Sequence, residues 1–252
     1  FYGFNQIIMI TSHKTLLVTG STSNIGSEIC LKAAKEGFSI ALHYNKNYKK
    51  VNFLAQSIKK IGVDAFPIKA DLRNQSEIKT MFLEIDKRWK NLSSVVNNAA
   101  ISGDRVSLIN IKGSEVEEIF KINFNACLEI MKESIKRMKI SDGGSIVNIS
   151  SNAIKTGGYN IAAYLASKQA LESLSKSSAK EFSKNNIRIN IVRPGIIGFD
   201  DPVLDEPLNK KKKVIPMNRL GKPIEVADSV VWLLSEKASY LCGATISVTG
   251  GY

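Results

Sequence analysis

The sequence predicts an α/β fold in which a seven-stranded parallel sheet carries helices on both faces. Seven short apolar runs of strand length alternate with longer stretches whose apolar residues recur every three or four positions. Strands separated by helices in this way are typical of βαβ units. No Pro/Gly/Ser-rich tract or shift in composition interrupts the alternation. We therefore expect one domain over residues 14–252, preceded by an N-terminal extension at residues 1–13.

The boundaries of these elements follow from the apolar runs and from the glycines and polar residues that separate them. Strands are expected at residues 15–19, 39–44, 65–70, 94–97, 145–150, 188–192 and 244–248. Helices are expected at residues 25–36, in a polar stretch that ends near Gly62, and near 74–90, 114–139, 160–184 and 223–235. Ligands of such sheets bind beyond the carboxyl ends of the strands, so polar residues just past each strand are the candidates for function.

Composition excludes several functional classes. The chain is 44% hydrophobic and 23% charged, as in ordinary globular proteins, and its apolar runs are shorter than the roughly 20 residues of a membrane span. The apolar start lacks a basic region and a cleavage site, so we interpret it as neither signal peptide nor anchor. Three cysteines without a CxxC pair and only two histidines argue against a disulfide framework and a metal site, and they favour a cytoplasmic location.

The formal net charge of +12 raises the question of a nucleic-acid partner. Most lysines are scattered as on solvated helix faces, and the dense run at residues 210–213 lies in no recognisable nucleic-acid motif. We therefore expect neither a nucleic-acid nor a membrane partner.

A glycine-rich turn follows the first predicted strand and leads directly into a helix. Such a turn lets backbone amides and a helix N-terminus approach a pyrophosphate. The candidate contacts of this TGSTSNIG segment are Gly20, Ser23, Asn24, Ile25 and Gly26. Asn24 lies inside the turn, and asparagine tolerates left-handed backbone better than other non-glycine residues. We therefore expect the turn to be retained.

The end of the second strand indicates which dinucleotide the chain prefers. NAD enzymes usually carry Asp or Glu there, for the adenosine ribose. Here the strand ends in Tyr44, Asn45 and Lys46, and a lysine attracts a 2′-phosphate that a carboxylate would repel. We predict NADP(H) over NAD(H); the alternative is a surface lysine in a loop.

The strongest signal is Tyr164 followed four residues later by Lys168 on a predicted helix. This spacing puts both side chains on one helix face, about one turn apart. A phenol has a pKa near 10, and a neighbouring ammonium stabilises the phenolate and brings it toward the working range of an acid–base catalyst. Ser151 lies just past the fifth strand and Asn123 on the helix before it, which adds two polar groups to the same edge.

Over about residues 14–252 the chain resembles the short-chain dehydrogenases/reductases, which have a Rossmann-type doubly wound domain. The residues that carry the resemblance are the glycine turn, Asp71, the NNAA segment 97–100, Asn123, Ser151, Tyr164, Lys168, Pro194 and Gly195. The resemblance implies that Tyr164 is the general acid/base, that Lys168 lowers its pKa and binds the nicotinamide ribose, and that Ser151 polarises the carbonyl. It implies that Asn123 holds a water linking Lys168 to solvent.

The same resemblance implies the remaining cofactor contacts. Asp71 and Leu72 would meet the adenine, the segment with Asn97, Asn98 and Ala99 would lie along the cofactor, and the Ile197 backbone would meet the carboxamide. Several positions depart from the family pattern: Asn24, Ala100, Phe199 and Thr249 replace residues more usual there.

The segments 215–221 and 243–251 look most like 3-oxoacyl-(acyl-carrier-protein) reductases of fatty acid biosynthesis, whose substrate is carried by an acyl carrier protein. Residues 196–216 would form a substrate lid. The alternative is a dehydrogenase/reductase of a free sugar, polyol or cyclic ketone, and a remote one is a non-catalytic nucleotide-binding protein. The resemblance also implies a homotetramer built from the helices near 114–139 and 160–184 and the last strand.

Overall fold

Seven strands form a single parallel sheet in the computed structural model, which describes residues 14–199, 205 and 208–252. In chain order they are β1 (Thr15–Val18), β2 (Ser39–Tyr44), β3 (Ala65–Lys69), β4 (Ser94–Asn97), β5 (Gly144–Ile149), β6 (Ile187–Pro194) and β7 (Thr245–Val248). Across the sheet they lie in the order β3-β2-β1-β4-β5-β6-β7, which confirms the predicted fold class. The order reverses between β1 and β4, and ligands bind at such a reversal.

Helices cover both faces of the sheet. In the described residues they are α1 (Asn24–Lys35), α2 (Tyr48–Ile61), α3 (Gln75–Arg88), α4 (Gly113–Phe120), α5 (Cys127–Ile140), α6 (Ala153–Thr156), α7 (Ala162–Phe182) and α8 (Pro223–Leu234). One apolar core unites α1, α2 and α8 with the sheet, and a second core unites it with α3, α5 and α7. Because both faces are buried, the central strands are almost continuously apolar.

The helix predicted at 114–139 differs from a regular α-helix. A wide turn with i→i+5 hydrogen bonding, Lys121–Ala126, separates α4 from α5. Such wide turns occur mostly as single insertions in α-helices, often at functional sites. The turn contains Asn123, whose side chain is fully buried and points toward the loop after β4.

Some predictions concern residues outside the described ranges. The predicted N-terminal extension lies there, as do residues 200–204, 206 and 207 of the predicted lid. Among the described residues, no helix has both the length and the apolar character that crossing a membrane requires.

Candidate active site

The turn after β1 is built to bring backbone close to a ligand. Gly20 has φ +62°, and a Cβ there would lie 3.0 Å from the Ala99 Cα. A Cβ on Gly26 would lie 2.3 Å from the Gly20 carbonyl oxygen, so this helix start also requires glycine. Ser23 caps α1 by accepting the Gly26 N–H at 3.1 Å, and the first turn of α1 contains no acidic residue. This helix N-terminus suits an anion such as a pyrophosphate.

We expected Asn24 to preserve the turn because asparagine tolerates left-handed backbone, and this reason was wrong. Asn24 is the first residue of α1, and it is not among the residues with positive φ, so no left-handed backbone is required there. Ile25 follows it, half-buried in the first turn of the same helix. The Asn24 side chain instead donates to the Gly198 carbonyl at 3.4 Å, which links the glycine turn to the segment after β6.

Asn98 and Ala99 support the turn from β4. The Asn98 amide donates to the carbonyls of Thr19 and Gly20 at 2.9 and 3.1 Å. The backbone N–H groups of Asn98 and Ala99 both donate to the Thr19 hydroxyl, at 2.9 and 3.0 Å. These contacts fix the shape of the turn from within the protein. The Asn97 side chain is buried and donates to Asn148 at 2.8 Å.

The carboxyl ends of β2 and β3 form the other end of the site. Tyr44 and Asn45 are half-buried and Lys46 is exposed, so the lysine can meet a ligand from solvent. Hydrogen bonds from Arg73 lower the pKa of Asp71 to about 2, and the charge of Lys46 makes a smaller contribution in the same direction. Leu72 is buried beside them.

The segment after β6 closes the opposite side. The Pro194 carbonyl accepts the Asn152 N–H at 2.9 Å, and Gly195 donates to the Val248 carbonyl at 2.9 Å. A Cβ on Gly195 would lie 2.9 Å from the Thr249 Cα, which explains glycine at this position. Ile197 forms an isolated parallel bridge with Gly221. Its backbone therefore has a fixed direction at the edge of the site.

Tyr164, Lys168 and Ser151 come together as predicted. The Lys168 Nζ lies 5.9 Å from the centroid of the Tyr164 ring and donates to the Ile149 carbonyl at 2.7 Å. The Ser151 hydroxyl lies close enough to the Tyr164 phenol to lower its pKa. Ser151 Oγ accepts the Ala153 N–H at 3.3 Å, which holds the serine at the start of α6. The phenol, the hydroxyl and the ammonium therefore lie close together at one edge of the sheet.

Burial shifts the pKa values of this cluster in opposite directions. Desolvation raises the pKa of Tyr164, and the neighbouring Ser151 hydroxyl partly offsets this rise. Desolvation lowers the pKa of Lys168 to about 8. At neutral pH the phenol therefore holds its proton and the lysine is charged. Lys168 makes no contribution to the pKa of Tyr164, so the predicted lowering of that pKa by Lys168 is not observed.

Asn123 uses its side chain to hold two segments together. Its amide donates to the Ile101 carbonyl at 2.8 Å and to the Ser167 hydroxyl at 3.0 Å, and its oxygen accepts the Ile101 N–H at 2.9 Å. Ser167 precedes Lys168 on α7. Asn123 therefore holds α7 against the loop after β4, a contact that its sequence position alone did not indicate.

Sequence reasoning missed two buried polar residues near this edge. Glu172 lies one turn beyond Lys168 and pairs with Arg193 through bonds to both carboxylate oxygens. His43 lies in β2 and hydrogen-bonds the Gly20 N–H and the Ala70 carbonyl. For His43 the available signal was a titratable residue inside an otherwise apolar strand, since polar groups in such places need defined partners. Glu172 lies in a helix with many polar residues, which gave no such signal.

Other sequence features have simpler explanations. The basic stretch of α5 is paired with acids: Lys132 with Glu129 and Lys136 with Glu133. Lys210–Val214 forms a short 3₁₀ helix without buried residues. Within the described residues no group of three or more His, Cys, Asp and Glu could hold a metal ion.

A family model described as "Enoyl-(Acyl carrier protein) reductase" matches residues 20–252. The chain belongs to the short-chain dehydrogenase/reductase family. As a member of this family it is an oxidoreductase, and the family uses a nicotinamide dinucleotide, NAD(P). The 3-oxoacyl-(acyl-carrier-protein) reductase FabG of Staphylococcus aureus is 34% identical over 240 residues, which cover 94% of this chain and 97% of that protein. The corresponding FabG of Aquifex aeolicus is 35% identical over 240 residues, which cover 94% and 96%.

Other relatives of this dehydrogenase/reductase carry different names. The uncharacterized oxidoreductase YgfF of Escherichia coli is 35% identical over 242 residues, which cover 93% of this chain and 98% of that protein. Among solved structures, an NAD⁺-bound xylitol dehydrogenase superimposes with a TM-score of 0.88 at 26% identity and covers 94% of this chain and 98% of its own. A levodione reductase has the same TM-score at 24% identity, covers 94% and 96%, and supports the fold alone.

Proposed function

We propose that this short-chain dehydrogenase/reductase is an NADP(H)-dependent reductase that converts a carbonyl group to a secondary alcohol. The observation that carries this proposal is the cluster of Tyr164, Ser151 and Lys168 at the carboxyl edge of the sheet, next to the switch point. The nicotinamide supplies the hydride in the reductive direction, and the chain supplies position and proton.

The catalytic residues divide these tasks. Ser151 donates a hydrogen bond to the substrate carbonyl, which orients and polarises it. Tyr164, whose raised pKa keeps the phenol protonated at neutral pH, donates its proton to the carbonyl oxygen as negative charge develops there. The charged Lys168 stabilises the phenolate that results, and Asn123 holds α7 in place.

Cofactor binding is assigned to the polar groups that surround the switch point. The N-terminus of α1 would hold the pyrophosphate, since its backbone is open to an anion. Asp71 and Leu72 would meet the adenine, and Gly195 and Ile197 the carboxamide end. Asn45 and Lys46 would hold the 2′-phosphate, because no carboxylate lies at the end of β2 to repel it.

The preference for NADP(H) is tested by removing the Lys46 charge. For Lys46→Ala we expect the Kd for NADPH to rise about tenfold and the Kd for NADH to stay within twofold, since one charge-assisted contact is lost. Lys50→Ala, which removes an exposed lysine from the first turns of α2, is the matched control. Equal effects of the two variants would contradict the assignment.

We propose a 3-oxoacyl thioester as substrate, carried by acyl carrier protein as in fatty acid biosynthesis. Two relatives with that printed name cover 94% of the chain at 34% and 35% identity. The alternative is a free sugar, polyol or cyclic ketone, which the likeness to a xylitol dehydrogenase favours. The remote alternative from the sequence, a non-catalytic nucleotide-binding protein, does not agree with membership of this oxidoreductase family.

A spectrophotometric assay at 340 nm separates these readings. We expect an acetoacetyl thioester to support oxidation of NADPH and not of NADH. Turnover only with xylulose or a cyclic ketone would replace the thioester by the alternative, and turnover only with an enoyl thioester would overturn carbonyl reduction. Absence of turnover with every one of these substrates, with cofactor binding retained, would contradict the proposed reaction.

The remaining proposals concern assembly. We propose that residues 14–252 act as one dinucleotide-binding and catalytic domain, with residues 196–216 as its lid. A homotetramer would use α4, α5, α7 and the edge strand β7, whose residues are partly exposed. Mass photometry that shows a monomer at micromolar concentration would contradict the tetramer.

The three cysteines are free thiols, which supports a reducing, cytoplasmic setting.

A further inference from the structure

His43 is a buried polar residue of β2 that the reaction does not use. It is 2% exposed, and its neighbours in the strand, Leu42 and Tyr44, are apolar or aromatic. The strand lies between β1 and β3, so His43 stands between the two loops that leave these strands at the carboxyl edge of the sheet.

The imidazole bridges these two loops with one hydrogen bond on each side. Its Nδ1 accepts the Gly20 N–H at 3.1 Å, and its Nε2 lies 3.0 Å from the Ala70 carbonyl oxygen. A backbone N–H only donates and a backbone carbonyl only accepts, so the partners assign the tautomer. The ring is neutral and carries its hydrogen on Nε2.

The backbone of His43 strengthens the same connection. Its carbonyl accepts from both the N–H and the hydroxyl of Ser21, each at 3.0 Å. On the other side, Ala70 immediately precedes Asp71, the residue assigned to the adenine. One residue therefore contacts the turn assigned to the pyrophosphate and the loop assigned to the adenine.

We propose that His43 is a positioning residue that sets the distance between the pyrophosphate turn and the adenine loop, and thereby the affinity for the dinucleotide. The inference rests on the proposed cofactor site. The Gly20 N–H is the critical contact, because the positive φ of Gly20 gives the turn its shape and His43 holds that amide from below.

The neutral ring persists over the pH range of ordinary assays. Burial lowers the pKa of His43 to about 4, and the hydrogen bond to the Ala70 carbonyl and then the charge of Asp71 partly offset this effect. The groups that face the ring from the β1 turn, Gly20 and Ser21, are uncharged, whereas Asp71 follows β3 and is itself paired with Arg73. The experiment is therefore carried out at pH 7, where the tautomer does not change.

Two substitutions separate the two arms of the imidazole. In His43→Asn the amide oxygen reaches the position of Nδ1 and can accept the Gly20 N–H. In His43→Gln the longer side chain reaches the position of Nε2 and can donate to Ala70, and the Gly20 N–H loses its partner. We expect the Kd for NADPH to stay within about threefold in the asparagine variant and to rise about tenfold in the glutamine variant, because a donor is left without an acceptor.

A purely structural role would give a different result. Ser93→Ala is the matched control, since Ser93 makes two hydrogen bonds to the Thr15 backbone at the opposite edge of the sheet. We expect this variant to lower the thermal midpoint as much as His43→Gln and to leave the Kd unchanged. The turnover number of His43→Gln at saturating NADPH should stay within twofold of wild type. Tyr164 and Lys168 lie on α7, whereas His43 contacts the turn after β1 and the loop after β3.

The outcomes distinguish this inference from the proposed function. Wild-type protein that binds neither dinucleotide would overturn both. Wild-type binding with an unchanged Kd in His43→Gln would overturn only the role of His43. If the glutamine variant does not fold, amide hydrogen exchange of the ligand-free wild-type protein decides: slow exchange at Gly20 is expected, and exchange at the rate of an exposed loop would overturn the inference.

Discussion

Lys168 and Glu172 lie on successive turns of α7 and are both buried, yet only Glu172 is paired with an opposite charge among the described residues. The Glu172 carboxylate accepts the Ser150 hydroxyl at 2.6 Å and binds the Arg193 guanidinium through two bonds. The Lys168 ammonium donates to one carbonyl, and no carboxylate pairs with it among the described residues. Burial without a counter-charge lowers its pKa to about 8.

This difference separates a buried charge that is paired within the fold from the buried charge that we propose takes part in catalysis. The Glu172–Arg193 pair connects α7 to β6 just before Pro194. It stabilises the fold only while both charges are present, because either charge alone would be buried without a partner. Lys168 lacks such a partner, so its charge remains available to a phenolate or a ligand, and its pKa lies close to the range in which enzymes work. Evidence for the two roles must therefore come from different measurements: stability for the pair, turnover for the lysine.

The largest expected effect follows the removal of the functional charge. Lys168→Met keeps an unbranched side chain of similar length and deletes the ammonium, so turnover should fall by about 10²- to 10⁴-fold because the phenolate of the acid–base step loses its stabilising charge. The free energy of unfolding should stay equal or increase, since an unpaired buried charge is removed. Steady-state kinetics and urea unfolding measure both, and turnover within threefold of wild type would contradict the assigned role.

Removing the structural charge should give the reverse pattern. Glu172→Gln leaves the buried Arg193 without a counter-charge, so the free energy of unfolding should fall by about 3 kcal/mol. Turnover at saturating substrate should fall less than tenfold, because no reacting group is lost. Unfolding in urea, compared with Lys168→Met, measures the contrast, and an undiminished stability would show that the pair is not structural.

The pH dependence of reduction should follow Lys168. Below about pH 8 the lysine is charged and the Tyr164 phenol holds its proton, so the rate should be level. Above about pH 8 the rate should fall, by up to about tenfold for each pH unit, as Lys168 loses its charge. The pKa of Lys168 is lower in the folded than in the unfolded chain, so deprotonation of Lys168 stabilises the folded state. The loss of rate above pH 8 is therefore not caused by unfolding that follows from the titration of Lys168. A rate that stays constant up to pH 10 would contradict the assignment of this pH dependence to Lys168.

The parts of the molecule that local patterns determine were predictable from the sequence. The apolar runs and the three- and four-residue spacings located the strands and helices, and the four-residue spacing put Tyr164 and Lys168 on one face. The contacts of His43 and Asn123 were not predictable, because their partners lie 22 to 44 residues away. The wide turn at Asn123 and the helical backbone of Asn24 likewise depend on tertiary packing.

The most direct test of the account compares binding with turnover in Tyr164→Phe, which removes one hydroxyl from the cluster. NADPH binding, followed by its fluorescence, should stay within threefold of wild type. Turnover with the best substrate at 340 nm should fall by at least about 10²-fold, because the proton donor is missing. Unchanged turnover with intact binding would contradict Tyr164 as the general acid and, with it, the mechanism.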